Sequence, residues 1–411
     1  MNKYFTSNIS RFLVCSFHAF ILLLITWFWL DSIWIRGDEK SLIKWSSVIR
    51  KSLLNRDEKP SVNDFVFIDL AWDKELIPRE DGLGEQVITN RERLAKIFNV
   101  LKKYPGQYKY IICDVFFQGD SPNDSILQAS FVNLKNIIVP SHMDGNELLK
   151  PKFNVPTGLA DYTTTDDSFL KYKLDSYDSL KSLPLKMYED VTGATFQKKN
   201  LFLFSNGRPS FNSMIIDYRI TNNDLSGSDE SDTSNLKYPV YPLSELLLFP
   251  DSLMFYSYLK DKYVVIGNFK EDVHSTVLGT MPGTLILLNI YLSLLNGENL
   301  VSIYWVLILL TGYFILSWMM FFPFKIISPK LLVKILDLRF FTFITSTFYL
   351  TILSIISYIY FNVQIGILII AVYMNTFIYI VNHYKEIKEK ITNFRFKHIK
   401  EYLKENLIGS K

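Results

Sequence analysis

The sequence predicts an α/β extracytoplasmic domain, with a mostly parallel sheet flanked by helices, joined to an all-helical membrane region of four spans. Three observations predict it. Residues 12–30, 302–322, 340–360 and 363–382 carry almost no charge. Each runs to about 20 residues, enough to cross a hydrocarbon core of about 30 Å. Lys3, Arg11 and the basic connection 323–339 flank these stretches on the side expected to be cytoplasmic. Between the first two stretches, short apolar runs alternate with helical patterns, the rhythm of a parallel sheet covered by helices.

The first stretch reads "FLVCSFHAFILLLITWFWL". Lys3 and Arg11 precede it, as they would a cleaved signal peptide. The run is long for a signal core and ends in bulky aromatics rather than a small-x-small site, so retention as an anchor is expected. Trp27, Trp29 and Trp34 suit an interface belt. Lys3 and Arg11 assign the N-terminus, residues 1–11, to the cytoplasm. The connection 323–339 carries Lys325, Lys330, Lys334 and Arg339 against Asp337, and it too is expected inside. Residues 31–301 then lie outside, in a bacterial inner membrane protein. The tail 383–411 repeats Ile387, Ile391, Phe394 and Leu403 among Lys and Glu. Three readings of it stay open: a helix on anionic lipid, a docking helix for a cytoplasmic partner, or disorder.

Composition excludes some classes. A net charge of +3 and the lack of a basic stripe interleaved with aromatics argue against nucleic acid. Cys15 falls in a span and Cys113 in a strand, so no disulfide is expected. The outer domain must hold itself together by its own core.

The elements follow in order. Residues 31–60 read as an entry helix ended near Pro60. "DFVFIDLAWD" is a strand. "NRERLAKIFNVLKKY" is a helix with Asn90 as cap. "KYIICDVFF", "NDSILQASFVNL" and "NIIVP" give strand, helix and strand. Their uniform apolarity predicts strands buried on both faces. From 150 to 235 the rhythm loosens: "PLKMYEDVTG" suits a helix, and "NLFLFSN" and "SMIIDYRI" suit antiparallel strands. Residues 221–236 form a polar surface loop. "YPLSELLLF" is a short helix, and "DKYVVIGNFKED" a strand whose Gly267 suits a close turn. "PGTLILLNIYLSLLNGE" is a helix with Pro282 at its start and Gly297 at its stop. It is apolar enough for a span, but Asn289, Asn296 and Glu298 favour a soluble core helix.

These residues carry a resemblance. "FVFIDLAWD", "NRERLAKIFNVL", "YIICDVFFQGDSPNDSILQASF" and "LKDKYVVIGNFKEDVHSTVLGTMPGTLILLNIYLSLLNGE" resemble a CHASE2 sensor domain, as does one leading span before the domain and three after it. Family members often carry an Asp-Gly-x-x-Arg turn. Here "ADYTTTDDSFLKYKL" keeps Asp166 and Asp167 without the Gly and Arg. Members usually continue into a cytoplasmic kinase or cyclase. No such segment follows here, so a separate cytoplasmic signalling partner is expected, and the resemblance implies a homodimer.

Candidate site residues lie at strand ends, where open α/β sheets bind ligands. Asp69 and Asp114 end two strands, and share an edge if those strands are neighbours. Asp120 and Asp124 follow in the next loop, as ligand contacts or as turn and cap residues. Asp272 and His274 follow the late strand and reach the same edge. Such a set suits a cation or a small polar ligand, with His274 adding proton sensitivity. His142, His383 and His398 show no zinc spacing, and "VVIGNFKED" lacks a phosphate-loop pattern. Ser213 and Ser244 sit in no nucleophile elbow. Neither catalysis nor a cofactor is expected. The expectation is a membrane-anchored sensor or input subunit. Its rival is a scaffold that assembles envelope proteins. Transport ranks below both, because the spans hold no charged residue.

Overall fold

The structure is a computed structural model. It describes residues 8–30, 37–50, 59–79, 82–162, 169–176, 180–199, 202–226, 237–322 and 338–383. The basic loop at 323–337, the tail from 384, Asp166, Asp167, Lys3 and most of the polar loop lie outside the described residues. The chain forms two units. One holds Met1–Trp29, Ile303–Ser357 and Ile365–Lys411; the other holds Leu30–Ser302 and Tyr358–Gln364.

In the outer unit, Val240–Pro242, Phe65–Asp69, Tyr263–Gly267, Tyr110–Cys113 and Ile137–Asp144 lie side by side in that order, all parallel. Thr157–Leu159 adds a further parallel strand, and Glu147–Leu149 pairs antiparallel. Every residue of Phe65–Asp69 and Tyr110–Cys113 is buried, as uninterrupted apolar runs require. Alternate side chains feed two cores. Phe65, Phe67, Ile112 and Val265 pack on one face with the helices Leu183–Thr192 and Gly283–Leu295. Val66, Ile68, Ile111 and Ile266 pack on the other with Arg91–Lys103 and Asp124–Phe131.

Asn90 caps Arg91–Lys103 as expected: its Oδ1 accepts from the Arg93 N–H at 3.0 Å. The helix Gly283–Leu295 is buried from Thr284 through Leu294. It resembles a span in sequence because protein, rather than lipid, surrounds it. Gly297 follows its end at φ 69°, in the left-handed region. Gly267 serves closeness rather than a turn. A Cβ there would overlap Thr284 Oγ1 on this helix. Two antiparallel hairpins went unread in the sequence: Lys74–Pro78 with Glu85–Thr89, and Val273–Thr276 with Gly279–Pro282.

The membrane region needs a correction. Among the described residues three helices, not four, are long and apolar enough to span: Asn8–Leu30, Ile303–Phe321 and Ile344–Phe361. The expected fourth contains the helix Ile367–Asn382 of 16 residues, about 24 Å at 1.5 Å per residue. That falls short of about 30 Å. Val363, Gln364 and Ile365, counted as part of it, are non-helical and buried. Hydropathy cannot separate residues buried by protein from residues buried by lipid. Within this unit, Thr26 Oγ1 meets Tyr313 OH at 2.6 Å and His18 Nδ1 meets Ser317 Oγ at 2.8 Å. Trp305 Nε1 donates to Ser357 Oγ at 2.9 Å. Gly312 lets Leu353 approach: a Cβ would stand 2.8 Å from its Cδ2.

Gly267→Ala should destabilise the outer unit by about 1–3 kcal/mol, the cost of overpacking a filled core. Thermal unfolding of the full chain in detergent checks this. An unchanged midpoint would show that strand and helix separate freely.

Candidate functional site

Asp69 and Asp114 do not end neighbouring strands, because Tyr263–Gly267 lies between theirs. Asp69 is a clamp. It is 3% exposed, and its Oδ1 accepts from the N–H groups of Ala71 at 3.0 Å and Phe269 at 3.1 Å. One carboxylate thereby ties the loop after its own strand to the loop after the central strand. That oxygen is satisfied by the protein itself.

Asp114 differs. Its backbone N–H extends the pairing to Ile266 O at 2.8 Å. Its side chain accepts from Thr284 Oγ1, which donates to Oδ2 at 2.8 Å. Burial, and then the nearby Asp272 charge, push this carboxyl up to about 6. Asp272 Oδ1 stands 3.0 Å from His274 Nε2. That hydrogen bond raises the His274 pKa. Gly283 gives this pair room, since a Cβ there would stand 2.7 Å from Asp272 Oδ2 and 3.2 Å from His274 Nε2. The pair therefore sits against the start of the helix Gly283–Leu295, where carboxylate charge is favoured. A second pair, His142 Nδ1 with Asp161 Oδ1 at 2.7 Å, stands nearby, and both histidines act electrostatically on Asp114.

Asp114 and Asp272 line a cleft of about 310 Å³, with Gln86, Phe116, Gln118 and Asn268 among its walls. The hairpin at Glu85–Thr89 supplies one wall. Its alternating "EQVIT" was the only sequence signal for it. Asp120 lies apart. Its side chain is 96% exposed and pairs with Lys152 Nζ at 2.7 Å. Lys152 holds that carboxyl below the usual range. Asp124 forms an ion pair with Arg91 and accepts from the Ser121 N–H at 3.1 Å. It fixes the loop instead of capping the helix. Of the five proposed site residues, the structure brings together Asp114, Asp272 and His274. It leaves Asp69 and Asp120 out of that group. Among the described residues no group of three His, Cys, Asp or Glu could hold a metal ion.

Arg91 was missed. It is 1% exposed, and its Nη2 donates to the carbonyls of Gln118 and of Gly119, the latter at 3.0 Å. The first position of an amphipathic helix gave no hint of burial.

A family model described as the CHASE2 domain matches residues 21–322. The chain belongs to the CHASE2 domain family. No curated protein and no solved structure matches it. CHASE2 domains are non-catalytic sensor domains, so this is a multi-pass membrane protein with a large extracytoplasmic sensor domain.

The CHASE2 domain has a second charged cluster, also unread in the sequence. Arg50 Nη2 lies 3.3 Å from Asp217 Oδ2, and Arg219 Nη2 donates to Glu298 Oε1 at 2.7 Å. Asn362 Nδ2 donates to Glu298 Oε2 at 2.8 Å. Burial, and then the Asp217 charge, push Glu298 up to about 7. Glu39 on the helix Gly37–Val48 forms a buried ion pair with Lys171.

Asp114 and Glu298 both bind protons more tightly in the folded chain than carboxyls ordinarily do. The stability each contributes is fully present below the ordinary carboxylate range. It is lost as pH rises through about 6 for Asp114 and about 7 for Glu298. Asp114→Asn should remove the lower part of this fall and Glu298→Gln the upper part. Thermal midpoints between acid and neutral pH check both, and variants with the wild-type profile would contradict the assignment.

Proposed function

We propose that this chain is a membrane-anchored input subunit. Its CHASE2 domain meets a small polar ligand at the Asp114–Asp272 cleft, and it passes the change to a separate cytoplasmic partner. The observation that carries this reading is the Asp114–Thr284 bond. It joins the cleft to the first turn of Gly283–Leu295, and only residues 296–302 separate that helix from the span Ile303–Phe321. A ligand that replaces Thr284 as the partner of Asp114 would favour one arrangement of the helix over another. That differential affinity is what a shift between states requires. The helix Gly37–Val48 follows the first span and is held to the body of the domain through Glu39–Lys171, with Arg50 just beyond it. The sequences leading to both spans are thus seated on one body.

One observation favours the scaffold reading. The hairpin exposes Leu76 at 63% and Val87 at 63%, in register with each other, and Trp72 just before it in the chain is 71% exposed. Such a patch is suited to contact with another protein.

Hydrogen exchange on the full chain in detergent tests the first reading. Asp114→Asn should alter protection from the cleft along Gly283–Leu295 into Ile303–Phe321. A change confined to the loop at Asp114 would refute transmission. If Leu76→Ser with Val87→Ser strips bound envelope proteins while Asp114→Asn alters nothing, the scaffold reading stands instead.

A further inference from the structure

The link between the helices Leu338–Phe361 and Ile367–Asn382 carries unfinished bonding. Tyr358–Gln364 belongs to the outer unit, and Ile365 begins the next stretch of the membrane unit. Asn362 seats the link. Its Nδ2 donates to Ile215 O at 3.0 Å and to Glu298 Oε2 at 2.8 Å. Its Oδ1 is buried and makes no hydrogen bond among the described residues. The same holds for Oε1 and Nε2 of Gln364, which is 1% exposed, and for Ser213 Oγ. A buried polar atom is costly when nothing meets it. These three side chains line one cavity of about 10 Å³, with Leu30, Phe211 and Lys171 among its other walls. Gln364 follows Asn362 by two residues and Ser213 precedes Ile215 by two. Each step reaches up to about 7 Å, which matches their shared cavity.

We propose that this cavity holds one ordered water, which donates to Asn362 Oδ1 and joins it to Ser213 Oγ and to the Gln364 carboxamide. The atoms name the ligand. Two carbonyl oxygens accept, the Gln364 amino group donates, and the Ser213 hydroxyl does either. A neutral molecule that both donates and accepts answers that set. An ion does not, because the charged walls are already balanced: Lys171 pairs with Glu39, and Glu298 with Arg219. The volume is about that of one water, and a buried water takes two to four polar partners. The water completes the seat of the link on the CHASE2 domain. The link is then a third chain connection from the domain to a membrane helix, beside the helix Gly37–Val48 and residues 296–302, and the one made through an exchangeable molecule.

Thermal unfolding of the full chain in detergent tests this with Ser213→Ala, Gln364→Leu and the two combined. Each single change should lower the midpoint by about 2–4 °C, the loss of one hydrogen bond to the water. The pair should lose less than the sum, because the second change removes a partner from a water already displaced. A Gln364→Leu midpoint above wild type would mean that an amide without any partner has been relieved, and it overturns the proposal. Additive losses, or a Ser213→Ala midpoint equal to wild type, overturn it too. Gln364→Met, unbranched like glutamine, carries the same test if the leucine variant does not fold. Crystallography at a resolution that shows waters should place one bonded to Asn362 Oδ1 and Ser213 Oγ, and side chains closed directly on one another there would overturn the bridge. None of these outcomes bears on the Asp114 cleft, whose hydrogen-exchange test stands apart.

Discussion

The close approach of one buried helix to the central strand is the constraint on which the rest depends. Gly283–Leu295 lies against Tyr263–Gly267 because Gly267 carries no side chain at its contact with Thr284. That absence brings Thr284 within hydrogen-bonding distance of Asp114 on the next strand. Gly283, in turn, lets the Asp272–His274 pair fold over the helix start. A side chain at Gly267 would part the layers and leave Asp114 without its partner. A buried carboxyl without a partner is costly. Packing and site chemistry are therefore one feature, read at two glycines.

Much of the sheet was legible because parallel strands buried on both faces have nowhere to place a polar residue. Phe65–Asp69, Tyr110–Cys113 and Tyr263–Gly267 are such runs. Asn90 was legible because a cap has local chemistry. The two hairpins were not, since Lys74–Pro78 and Glu85–Thr89 are short, half exposed and mixed in polarity. The strand order was also hidden. Inserting the late strand Tyr263–Gly267 between two early ones is a long-range choice that local pattern does not encode. It separates Asp69 from Asp114 and gives them different work. Arg91 and Glu298 looked like surface charges, because only tertiary contacts reveal that a helix end is enclosed.

Charge is gathered at two sites in the CHASE2 domain, half-exposed at one and buried at the other. At the cleft edge, burial and then the Asp272 charge raise the Asp114 pKa to about 6. At the Arg50–Asp217–Arg219–Glu298 cluster, guanidinium groups offset the acids, and Asn362 supplies a neutral donor. Desolvation of such groups is expensive, and losing one member strands the others. Their arrangement therefore enforces a single packing of the segments that meet there, more than it adds net stability.

Arg91 carries a different consequence. Its guanidinium grips two successive carbonyls beside the cleft, those of Gln118 and Gly119, while it faces the ring of Phe153 at 5.5 Å. These contacts hold the loop in place from within the protein. A guest need not freeze that loop, so little ordering entropy opposes association. On the proposed reading the wall in front of a ligand stays fixed, and the motion that reports occupancy falls to the helix that carries Thr284.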